Sequence, residues 1–219
     1  MISRAILIAL FALSGLVFAQ SIPAQQNKND DIKVTAFPNG VFKLNWHGLV
    51  RNISLQGEIG GCTSGSYDGS DPKSKPSGGA AITRVIDLMF RDRTKDSPAY
   101  LTFQTTLGSG CNVQGRCGAA SAVTVVWLEL DPNLKVVSKR AVIVQECLTD
   151  TSLMQWVGKT GDEILDANEP KFRLRAGKLE IVFETEDLTK KQKVVSVLRY
   201  FKDTPAKGLI VSSKTFATK

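Results

Sequence analysis

The chain is 219 residues long, 42% apolar and 22% charged, with a formal net charge of +7. That apolar content excludes a disordered chain, and 18 Gly with 8 Pro excludes a collagen-like or low-complexity one. At about 100–200 residues per domain, the length predicts one domain, two at most, with a core large enough to stand without disulfides or metal.

Residues 1–19 read MISRAILIALFALSGLVFA. Arg4 supplies the positive n-region, Ala5 to Leu13 form an apolar run, and Val17 and Ala19 are small residues before Gln20. This is the layout of a secretory signal cleaved after Ala19. A spanning helix needs about 20 apolar residues, and Ser14 and Gly15 interrupt this run. The expected product is soluble and either secreted or periplasmic. Residues 20–30 are polar and aperiodic, a flexible leader. Residues 31–219 should form a single β domain.

From Asp31 onward the expected elements are strands. Ile32–Phe37 and Val41–Trp46 flank the turn signal Pro38-Asn39-Gly40. Ile53–Ile59 alternates apolar and polar residues. Ile82–Phe90 and Tyr100–Leu107 follow, separated by a charged loop. Val123–Leu130 is almost wholly apolar, which predicts a central strand covered on both faces. Asp131-Pro132-Asn133 turns the chain into Lys135–Cys147. Phe172–Arg175 and Leu179–Thr185 should be joined by a tight Ala176-Gly177 hairpin, with Lys193–Phe201 and Leu209–Phe216 completing the set. A capping-box spacing at Thr160–Glu163 predicts a short helix over Asp162–Asn168, and a further turn is expected around Ser152–Trp156. The fold class is therefore all-β. It is an antiparallel β-sandwich, or a barrel-like relative, of about ten strands with at most one or two short helices. Two long Gly-rich loops, Gly60–Gly79 and Gly108–Ala120, are candidate functional loops.

Four cysteines in an exported chain predict two disulfides. Three connectivities are open. Cys111 with Cys117 closes a short Gly-rich loop, which leaves Cys62 with Cys147. The spacing does not match a structural zinc site, so no metal is expected.

Chemistry is sparsely marked. His47 is the only histidine and reads as a turn residue at a strand end. No nucleophile elbow, phosphate loop or His-rich metal pattern is present, so no catalytic residue and no cofactor is expected. The acidic run Asp162, Glu163, Asp166 and Glu169 suits a helix N-terminus better than a paired-carboxylate site. Positive charge is concentrated at the C-terminal end. Residues 171–219 hold 12 Lys and Arg against 5 Asp and Glu, whereas residues 20–170 hold 15 against 16. Arg173, Arg175, Lys190, Lys191 and Lys193 are therefore the candidate binding residues for an acidic partner.

The function expected from these features is that of a non-enzymatic exported binding or interaction module. Its expected partner is an acidic glycan or another envelope or extracellular protein. Two alternatives stand beside it: a carboxylate-dependent hydrolase of extracellular glycans, and a binder of acidic polymers through the basic C-terminal strands.

Overall fold

The computed structural model describes residues 32–37, 40–60, 82–92, 97–108, 121–147, 149–156, 170–187 and 189–218. Eleven strands build three antiparallel sheets. The first contains β1 (Lys33–Phe37), β2 (Val41–Trp46) and β3 (Leu49–Ser54) in that order. The second contains β4 (Ile82–Asp92), β5 (Ser97–Gly108), β6 (Ser121–Leu130) and β7 (Val136–Gln145). The third runs β11 (Ile210–Ala217), β10 (Gln192–Phe201), β9 (Lys178–Asp187), β8 (Thr151–Trp156). Helical structure among the described residues is confined to 3-10 turns, at Gly40 and at Pro205–Lys207.

The second sheet is the middle layer, and β6 shows why. Its residues Ala122–Leu128 are all buried. Val126, Leu128 and Leu130 face a core shared with the first sheet, where they meet Phe42, Leu44, Ile53 and Phe103. Val123, Val125 and Trp127 face a second core with Leu179, Ile181, Leu198 and Tyr200 of the third sheet. A strand with apolar residues at both parities can satisfy two cores at once, which is the arrangement its unbroken apolar sequence predicts.

The first two sheets wrap one core and meet along two seams. At one seam β1 approaches β4, and Thr83 Oγ1 donates to Val34 O at 2.6 Å. At the other, β3 and β7 are the facing edge strands. The two sheets thus form a barrel-like sandwich.

Three expected elements differ from the structure. Ile53–Ile59 is not a strand. β3 ends at Ser54, and residues 55–59 form a turn in which the Glu58 and Ile59 amides bond to Leu55 O. The cause is the His47-Gly48 turn, whose backbone φ values of 47° and 80° set a tight hairpin and bring Phe42 opposite Ile53. Phe172–Arg175 is also not a strand. Its turn is present, with an isolated Arg175–Lys178 bridge, but the Phe172 amide donates to the Gln104 side chain. β9 has β10 on one side and β8 on the other, so most of its length offers no free edge to this segment. Ser152–Trp156, expected as a turn, lie in that edge strand, β8. The expected helix over Asp162–Asn168 lies outside the described residues, as does most of both Gly-rich loops.

Candidate binding cleft

A cleft of about 510 Å3 opens where β3 and β7 face each other. It lies within the range of ligand sites, about 300–1,000 Å3. Its walls are β3 from Arg51, continuing to Leu55, and β7 with the turn before it, from Leu134 to Lys139. Ile53, Leu55 and Leu134 are buried and form its floor. Its charged lining residues are Arg51, Lys135 and Lys139.

Local sequence shapes both walls. In the turn before β7, Asp131 Oδ1 accepts from the Asn133 and Lys135 amides, both at 2.8 Å. This Asx-type turn holds Leu134 at a φ of 59° with its side chain in the core. On the opposite wall, the Leu55 amide donates to Gly40 O at 2.8 Å and fixes the end of β3. Arg51 shares the parity of core-facing Leu49 and Ile53, so its side chain starts toward the barrel and crosses its mouth. Lys139 pairs in register with core-facing Leu128, and therefore also points to the inner side.

These two cations span the gap. Arg51 Nε donates to Asn133 O at 3.0 Å, and Lys139 Nζ donates to Ser54 O at 3.3 Å. Lys139 also pairs with Glu58. Paired strands lie about 4.7–4.9 Å apart and bond through their backbones. Here long side chains bridge the two walls, and β3 and β7 form no ladder with each other. The contacts also give the strand directions. Arg51 meets Asn133 at one end and Ser54 meets Lys139 at the other, so β3 and β7 run the same way along the cleft.

The candidate residues read from the sequence occupy other places. Lys190 pairs with Asp187 at 3.1 Å and Lys193 with Glu184 at 2.6 Å. Lys191 is exposed, in the turn between β9 and β10, with a φ of 50°. Arg173 and Arg175 are exposed at the opposite end of the β9–β10 hairpin, about 30 Å away at about 3.4 Å per residue. The five residues therefore do not form one patch. Carboxylates are interleaved throughout. Lys178 and Arg199 each lie 2.8 Å from Glu180, and these hydrogen bonds, Lys178 first, hold its carboxyl below the usual range. The Lys190 backbone amide and then its side chain do the same for Asp187. His47 sits in the two-residue turn before β3, edge-on to Trp46. Asp162, Glu163, Asp166, Glu169, Cys62, Cys111 and Cys117 lie outside the described residues. Cys147 is disulfide-bonded to a partner that also lies outside them.

Sequence reasoning missed the buried polar groups between the second and third sheets. Tyr200 is fully buried, and its hydroxyl donates to Asp87 Oδ2 at 2.8 Å. Burial first, and then this bond to a carboxylate, push the phenol above its ordinary value. Lys202 Nζ stands 3.8 Å from the other Asp87 oxygen. Gln104 is buried as well. It accepts from the Phe172 amide at 3.0 Å and donates to Pro170 O, tying a loop to the middle sheet. The only available signal was a polar residue at a core-facing strand position. Among the described residues, no group of three or more His, Cys, Asp or Glu is placed to hold a metal.

Comparison with family models, with curated proteins and with solved structures finds no match for this chain.

Proposed function

We propose that the chain is an exported, non-enzymatic binding module whose ligand seats in the cleft between β3 and β7. The observation that carries this reading is the cleft itself, with two strand edges, an apolar floor and cations reaching across its mouth. The signal-like first 19 residues support export. The test is a peptide-display selection on the immobilised full chain, repeated with Arg51→Glu plus Lys139→Glu. Enriched ligands should lose binding to the double variant. Ligands that bind both proteins equally would overturn the placement of the site.

Export also suits the disulfide pairing Cys62–Cys147, with Cys111–Cys117 as the second bond. Gly60 supports it. A Cβ on Gly60 would fall 2.9 Å from Glu146 Oε1 and 3.0 Å from the Ala122 Cβ, so the backbone of residue 60 lies directly against the neighbour of Cys147. The Gly60 amide donates to Thr124 Oγ1 at 3.1 Å and holds it there. Non-reducing peptide mapping should recover a linked Cys62–Cys147 fragment. Recovery of Cys147 joined to Cys111 or Cys117 would overturn the pairing.

A further inference from the structure

The chemistry of the cleft specifies its ligand. We propose that the cleft captures an extended acidic segment of another protein, which enters as an additional strand between β3 and β7. This deepens the binding-module reading and rests on it.

Three observations converge. First, Lys139 and Arg51 bridge the β3 and β7 walls by donating to backbone carbonyls, Ser54 O and Asn133 O. The cations occupy acceptors that an inserted strand would meet with its own N–H groups. Second, β3 and β7 run in the same direction, so one strand running against both forms two antiparallel ladders, the more favourable pairing. Adding a strand to a sheet edge is a general mode of peptide capture, with backbone bonds giving affinity and side-chain positions giving selectivity. Third, cross-strand neighbours point to the same face of a sheet. An inserted strand therefore presents inner-side residues to Arg51 and Lys139 at its two ends, and to Ile53 and Val136 between them. The complementary pattern is acidic, apolar, acidic at alternate positions. On entry, the segment's amides take Ser54 O and Asn133 O, and its carboxylates take the released guanidinium and ammonium groups. Glu58 is the counter-charge that a ligand carboxylate would replace on Lys139.

The test uses the full chain and three capped pentapeptides, Glu-Thr-Val-Thr-Glu, its Gln analogue and its Lys analogue, with binding read by calorimetry. The Glu peptide should bind. The Gln peptide should bind about three- to tenfold more weakly, from the loss of two charge pairs, and the Lys peptide more weakly still. In the Arg51→Gln plus Lys139→Gln variant, the Glu and Gln peptides should bind alike. Both positions are exposed, and an unchanged melting temperature confirms that the variant is folded. Alternate N-methylation of the Glu peptide, which removes ladder donors, should weaken binding at least about tenfold. Equal binding of Glu and Lys peptides overturns the acidic assignment, and unimpaired binding of the N-methylated peptide overturns strand insertion. If none of the peptides binds while display-selected ligands still require Arg51 and Lys139, the cleft remains the site and strand capture falls. Slow amide exchange along the facing edges of β3 and β7 in the free protein would show that the chain fills its own gap, and would also overturn the proposal.

Discussion

Replacing Tyr200 with Phe removes one oxygen from the second core and leaves the ring in place. Tyr200 is fully buried between the middle and outer sheets, and Asp87 is only 7% exposed. The lost hydroxyl leaves Asp87 Oδ2 without its 2.8 Å donor, while Lys202 remains 3.8 Å from the other oxygen. A hydrogen bond to a charged group contributes about 1.5–3 kcal/mol. With Lys202 still nearby, the expected loss is about 2 kcal/mol. For a domain of this size that lowers the melting temperature by about 4–8 °C. Urea unfolding followed by far-UV circular dichroism measures it, with the m-value unchanged. Asp87→Asn alone should cost less, because Asn still offers an acceptor. The double variant should show a coupling of about 1 kcal/mol or more. The pH dependence has a definite sign. The folded state holds Tyr200 neutral above its ordinary value, whereas an unfolded tyrosine ionises near about pH 10. The contribution of Tyr200 is therefore intact below about pH 10 and is lost as pH rises beyond it. Tyr200→Phe should lack that alkaline component. A loss under about 0.5 kcal/mol, or an alkaline profile identical to the parent, would refute the account of this pair.

Three further substitutions test the packing. Gly208 has a φ of 63°, and a Cβ there would fall 3.2 Å from the Trp127 ring, whose Nε1 donates to Pro205 O at 3.0 Å. Gly208→Ala should cost about 1–3 kcal/mol in thermal unfolding and alter the environment of the Trp127 indole in near-UV spectra. Gln104→Ala removes the anchor of residues 170–172, so limited proteolysis should cut there faster, with about 2–4 kcal/mol lost in stability. Glu180 has its pKa depressed by Lys178 and Arg199, so its contribution is present above about pH 4.5 and fades as pH falls through the lower folded value. Glu180→Gln should change stability by under about 1 kcal/mol at neutral pH and flatten the acid limb of the curve.

The sequence revealed the skeleton better than the site. Period-two alternation and turn residues located most of the strands, and the unbroken apolar run of β6 announced a layer covered on both sides. β8 was hidden because Thr151–Trp156 is an edge strand with a bulge, so its residues do not alternate cleanly. The end of β3 was misplaced because the His47-Gly48 turn, which sets its register, was read only as a place for a histidine. The cleft was illegible for a different reason. It depends on two strands distant in sequence, and Arg51 and Lys139 look like ordinary surface charges until the barrel brings them together. Counting charge along the chain pointed instead to the C-terminal strands, where carboxylates on β9 pair with Lys178 of the same strand and with Lys193 and Arg199 of β10. A linear count cannot register that pairing.

The central claim is that the gap between β3 and β7 is a seat for one extended strand. Backbone NMR of the labelled full chain with the capped Glu-Thr-Val-Thr-Glu peptide tests it most directly. The account predicts peptide-to-protein cross-strand contacts on both walls at once, along residues 51–54 of β3 and 136–139 of β7, in antiparallel order. Contacts confined to one wall, or shifts centred instead on Lys190–Lys193, would contradict it.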